Sequence, residues 1–133
     1  MDYVPLGRSG MKVSRYVLGT LTFAGTNGFG ALGNVDVPQA KRMIGMAIDA
    51  GVNAFDTANL YSKGDSEIVL GEALGKQRDN MLIFSKGRSE MDDGPNGGGA
   101  SRVHLTAQLN GSLKRLKTDW LDLYFVHQWD GMT

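Results

Sequence analysis

The sequence contains no cysteine, 2 histidines and 3 prolines in 133 residues. Without cysteine there is no disulfide framework, no thiolate metal site and no cysteine nucleophile. The small histidine count argues against a zinc site built from protein ligands, so no metal is expected. Charge of one sign is also lacking, because 14 Lys+Arg balance 14 Asp+Glu. Nucleic acid and anionic membranes, which bind through an excess of positive charge, are not expected as partners. No apolar run approaches the ~18 residues of a membrane span. The stretch Met1 to Leu6 does not read as a signal peptide, and a cytoplasmic location is expected.

Glycine is abundant, at 19 of 133 residues, and 41% of the chain is hydrophobic, enough for a packed core. The segment Tyr3 to Val13 reads as a β-hairpin turning at Arg8-Ser9-Gly10, followed by a strand at Tyr16-Val17-Leu18 that closes on Gly19-Thr20. A Gly-rich loop, Ala24 to Gly33, comes next and reads as long and mobile. Asp36 with Gln39 forms a capping box, Pro38 lies in the first turn, and Ala40, Met43, Ile44, Ala47 and Ile48 make one apolar stripe ending at Gly51. The apolar run Val52 to Asp56 predicts a buried strand. A second helix is capped by Asp65 or Ser66 and stopped by Gly75. Met81 to Phe84, ending at Ser85-Lys86, is a third strand, and Ser101 caps a third helix with Leu105, Leu109, Leu113 and Leu116 on one face. Trp120 to Val126 is the fourth run, and His127 ends it.

The order is a hairpin followed by βαβαβαβ, which predicts an α/β fold with a parallel sheet in one domain, residues 1–133, without an internal boundary. An open doubly wound sheet and a piece of a (β/α)₈ TIM barrel compete at this point. Gly28-Phe29-Gly30-Ala31-Leu32-Gly33 matches G-x-G-x-x-G letter for letter. A dinucleotide fingerprint turns directly from strand into helix, however, and here the strand ends near Thr20 while the helix signals begin at Asp36. The glycines are read as a loop.

Apolar runs end in Asp56, Lys86 and His127, and Tyr61 follows Asp56 in the next loop. Each has an ordinary reading: a loop cap, a solvated lysine, a structural histidine, a tyrosine covering apolar surface. In a parallel barrel, though, all strand C-termini meet at one rim, where catalytic residues collect. Together the set suits proton donation to a carbonyl oxygen. A free phenol, with a pKa of about 10, holds its proton tightly and needs a cation beside its phenolate. Lys86 can supply that cation, Asp56 can hold it, and His127 can orient the substrate oxygen. None of the four donates hydride, so reduction calls for a nicotinamide cofactor.

These residues sit in a wider pattern: Asp56-Thr57-Ala58, Tyr61-Ser62, Gly64, Ser66-Glu67, Leu70-Gly71, Ser85-Lys86, Ser112 through Asp119, and Leu121-Asp122-Leu123-Tyr124 with His127. The pattern closely resembles the aldo-keto reductases, most of all their bacterial and potassium-channel β-subunit branch. The resemblance implies a (β/α)₈ barrel closed at its bottom by the hairpin, and reduction of aldehydes or ketones to alcohols with NADPH or NADH. It implies Tyr61 as general acid, Asp56 and Lys86 as its tuning pair, and His127 as the orienting residue. It places Gly19, Thr20 and Leu21, with Asp56, near the nicotinamide, and Phe23 and Trp129 at the wall of a carbonyl-substrate pocket, with plain packing as the alternative for those two. The branch also allows a nicotinamide-binding sensor or accessory subunit with little turnover.

A complete barrel of this kind needs ~250 residues. The sequence is therefore expected to be the N-terminal half of one, truncated, lacking the cofactor's phosphate sites and inactive alone. Its partner would be the missing C-terminal half, or a second copy by self-association. His104 reads as a surface residue without a role, and no account of Asp122 emerges from the sequence.

Overall fold

Asp36 opens the first helix as the sequence predicts: its carboxylate accepts the Gln39 backbone N–H at 2.9 Å, and the Gln39 side chain accepts the Asp36 N–H at 3.3 Å. The computed structural model, which describes residues 1–133, places this helix α1 at Val37–Asp49 and buries its Ala40 and Ile44. The chain leaves α1 through Gly51, whose φ of +89° lies in the left-handed region that glycine tolerates.

Strands β1 (Tyr3–Pro5) and β2 (Lys12–Ser14) form the antiparallel hairpin. It is fastened to the body by Asn53, which accepts the Ser14 N–H at 2.9 Å and donates to Lys12 O at 2.9 Å. Strands β3 (Leu18–Gly19), β4 (Ala54–Asp56), β5 (Leu82–Gly87) and β6 (Leu123–Val126) form one sheet in that order, every neighbouring pair parallel.

Period two sorts the side chains of this sheet. Phe55 and Ile83 point to one face, where they join Ala40 and Ile44 of α1, Leu70 and Leu74 of α2 (Asp65–Leu74) and Leu116 of α3 (Arg102–Leu116) in the main core. Ala54 and Phe84 point to the other face, where Val13 of the hairpin packs on them. All three helices therefore lie on one side and the hairpin on the other. A doubly wound sheet carries helices on both sides, so the arrangement is an arc of a (β/α)₈ barrel, open at β3 and β6. No helix is long and apolar enough to cross a membrane.

Three local expectations need correction. Neither Asp65 nor Ser66 caps α2: the cap is Gly64 at φ +101°, and Ser66 is buried, donating its hydroxyl to Thr20 O at 2.7 Å. A tertiary contact thus overrides a local capping preference. The Ala24 to Gly33 loop is hydrogen-bonded to the turn that follows β4 rather than free. His104 is not on the surface but 2% exposed, with Nδ1 3.0 Å from Asn96 O and Nε2 3.2 Å from Ser89 O. It holds the second Gly-rich loop against the start of α3.

Asp122 also gains an explanation. Its Oδ2 accepts from Ile83 N at 2.8 Å and from Arg78 Nη2 at 3.2 Å, at the foot of β5 and β6. Arg78 further donates to Met81 O at 2.7 Å and Trp120 O at 2.9 Å, and stacks 4.3 Å from the Trp120 ring centre. The planar guanidinium fork suits this combination of directions.

Candidate active site

Asp56 closes β4, Lys86 is the next-to-last residue of β5, and His127 follows β6. The strands are staggered: Asp56 pairs with Phe84 and Lys86 with Phe125, so each successive polar residue stands two positions further along its strand. Even steps keep all of them on the inner face. The His127 N–H bonds to Gly87 O at 2.8 Å, continuing the ladder to the rim. Tyr61 enters from the turn after β4, through which the chain passes from the sheet to α2.

The Lys86 ammonium is the hub. It donates to Asp56 Oδ2 at 2.6 Å, to Thr57 O at 2.8 Å and to Tyr61 Oη at 3.2 Å. An ammonium has three N–H donors, so all are directed. The phenol oxygen accepts from Lys86, which leaves the Tyr61 hydroxyl proton free to be given away. The Tyr61 and His127 rings meet edge to face, centroids 5.8 Å apart at 75°. Burial, and next the Lys86 cation, hold His127 below the ordinary imidazole range, with Asp56 opposing them. Its buried Nδ1 has no hydrogen-bond partner. The site thus combines a cation-supported phenol with an imidazole kept neutral.

A second buried polar group lies behind the sheet. Glu67 is fully buried, accepts the Ser85 hydroxyl at 2.6 Å and pairs with Arg115 Nε at 2.7 Å. Nearby, burial and then the Glu67 charge push the Tyr124 hydroxyl up to about 12. The sequence reading gave Glu67 no task, since its partners stand 18 and 48 positions away.

The family model described as "Aldo/keto reductase family" matches residues 16–133. The chain belongs to the aldo/keto reductase family. A protein of Oryza sativa subsp. japonica named "Probable voltage-gated potassium channel subunit beta" is 38% identical over 136 residues, covering 100% of this chain and 39% of its own length. The uncharacterized oxidoreductase YrpG of Bacillus subtilis is 36% identical, covering 100% of this chain and 42% of its own length. Among solved structures, the holo form of the aldo-keto reductase AKR11C1 from Bacillus halodurans superimposes with a TM-score of 0.76 at 28% identity, over 93% of this chain and 39% of that one. The chain spans about two-fifths of the length of the curated relatives it matches.

Within this aldo/keto reductase the remaining site expectations divide. Asp56, Tyr61, Lys86 and His127 come together. Of the β3-end residues, Leu21 is exposed and nothing lies within 4 Å of a Cβ placed on Gly19, whereas Thr20 is fully buried, its hydroxyl donating to Asp56 O at 3.1 Å. Thr20 supports the strand that carries Asp56. Phe23, for which packing stood beside a pocket-wall role, takes the packing role: it is fully buried in the helix-side core, and its backbone bridges to Val35. Trp129 stands 85% exposed, beyond His127. The Thr57 carbonyl was missed, and no side-chain signal could have shown it, since the contact is made by backbone.

Proposed function

We propose that this chain carries the proton-transfer machinery of an oxidoreductase that reduces aldehydes or ketones to alcohols. The observation that supports it most is the Lys86 ammonium shared among Asp56, Thr57 O and Tyr61 Oη. Tyr61 gives its hydroxyl proton to the carbonyl oxygen. The phenolate left behind is stabilised by Lys86, which Asp56 holds at 2.6 Å so that no reorganisation is needed as charge develops. His127, neutral, hydrogen-bonds the same carbonyl oxygen and sets its direction toward Tyr61. Solvent then returns a proton to Tyr61.

The residues present fit a nicotinamide. The open space over Gly19 and the exposed Leu21 lie at the end of β3, where Gly19 is in register with Asp56, and leave room there for a planar ring. When bound there, NADPH or NADH supplies the hydride that no side chain in the set can provide. Gly19, Leu21 and Asp56 would hold its reactive end. A holo form among the structural relatives supports a bound cofactor in this family.

The relatives named as potassium-channel β subunits favour a second reading, in which nicotinamide is bound and sensed with little turnover. One experiment separates the two: NADPH oxidation is followed across a panel of aldehydes and ketones, alongside direct titration of nucleotide binding. Turnover that is lost in Tyr61→Phe supports the reductase. Nucleotide binding without turnover on any carbonyl supports the sensor.

A further inference from the structure

The glycine-rich stretch that imitates a dinucleotide fingerprint is tied to Ser62, the residue after Tyr61. Its neck is closed by the bridge between Phe23 and Val35, with Ala24 N bonded to Val35 O at 2.9 Å and Val35 N to Thr22 O at 3.0 Å. Inside this neck the backbone takes positive φ at Ala24, Gly25, Asn27 and Gly28. The turn that carries Tyr61 is equally unusual: Ser62, Lys63 and Gly64 have φ of +50°, +50° and +101°. Consecutive left-handed residues, two of them with side chains, persist only where their surroundings hold them.

Ser62 is where the two meet. It is fully buried, its hydroxyl donates to Phe23 O at 3.2 Å and accepts the Gly25 N–H at 3.2 Å. Its carbonyl accepts from Asn27 Nδ2 at 2.9 Å, and Thr26 Oγ1 donates to Asp65 Oδ2 at 2.6 Å. We propose that Ser62 is a positioning residue for the proton donor, and that the Ala24 to Asn34 loop acts through it to keep the Tyr61 phenol within reach of Lys86. Every contact falls on the residue after Tyr61 or within the same turn. The left-handed path through Ser62 and Lys63 returns the chain toward α2 while Tyr61 stays over the rim, facing Lys86 and His127. The proposal rests on Tyr61 being the proton donor and adds that its placement is enforced from the β3 side.

The test uses Ser62→Ala, Ser62→Gly and Asn27→Gly in the full chain. Glycine accepts the left-handed angles at both positions, so those variants keep the backbone path and lose only the polar groups. Two readouts are taken: kcat and KM of carbonyl reduction, and the near-ultraviolet circular dichroism of Tyr61, obtained by difference from Tyr61→Phe. Expected for Ser62→Ala and Ser62→Gly alike is a kcat lower by about 10- to 100-fold with KM little changed. The near-ultraviolet circular dichroism of Tyr61 changes as well, since the ring is left further from Lys86 and His127. Asn27→Gly moves the same quantities in the same direction by less. Wild-type values in both Ser62 variants overturn the proposal. So does a loss in Ser62→Ala that Ser62→Gly restores, or one that follows the folded fraction while the Tyr61 dichroism is unchanged. The Tyr61 dichroism decides even without turnover. Should Tyr61→Phe keep wild-type activity, the proton-donor reading itself fails, an outcome separate from the behaviour of Ser62.

Discussion

Arg115 on α3 reaches Glu67 on α2 at 2.7 Å, and the carboxylate it meets is wholly shielded from water while its other oxygen accepts Ser85, the neighbour of Lys86. The pair therefore ties two helices to the back of the strand whose front carries the Lys86 ammonium. Removing one partner strands a buried charge.

Arg115→Met is expected to destabilise the chain by about 3 to 5 kcal/mol, whereas the double variant Glu67→Leu/Arg115→Met recovers most of that loss. Urea denaturation midpoints at constant slope check both. A double variant no more stable than Arg115→Met would show that the pair's geometry, not the orphaned charge, sets the cost.

Helix packing offers a paired test at two glycines. A Cβ on Gly71 of α2 would stand 2.6 Å from Leu116 O at the end of α3. Gly71→Ala should cost about 1 to 3 kcal/mol, because the helices must separate. Gly45, inside α1, has nothing within 4 Å of the same position. Gly45→Ala should stabilise by about 0.5 to 1 kcal/mol through helix propensity. Thermal melting of the two variants checks the opposite signs.

His127 makes a pH prediction. Its pKa is lowered in the folded chain, chiefly by burial, so below the ordinary value of 6.5 the unfolded chain binds more protons than the folded one. Stability is then fully present above that value and falls as pH drops from it to the depressed folded pKa, below which this contribution is flat. His127→Gln should remove the slope from the stability profile between neutral and mildly acidic pH. An unchanged slope in that variant would assign it to other groups.

Much of this was legible because it is local. The capping box at Asp36, the Ser101 cap and the four apolar runs each need only a few adjacent residues, and the Ser101 hydroxyl does accept the His104 N–H, at 3.2 Å. Three of the four candidate site residues were legible for a related reason: Asp56, Lys86 and His127 sit at or just past strand ends, where alternation and the parallel register put them on one face. The misreadings all involve distant backbone partners. His104 looked like a surface residue because the carbonyls of Ser89 and Asn96 leave no mark in a sequence. Ser66 looked like a cap because its true acceptor, Thr20 O, lies 46 positions away. Asp122 acquired meaning only when the parallel register brought Arg78 and Ile83 N to it.

Whether Lys86 makes Tyr61 a proton donor is decided by the rate of carbonyl reduction in Lys86→Met, with Tyr61 intact. A kcat lower by about 10²- to 10⁴-fold, the range for removing support from a general acid, is expected, with nucleotide affinity little changed. A Lys86→Met variant that reduces carbonyls at nearly the wild-type rate would contradict this role of Lys86.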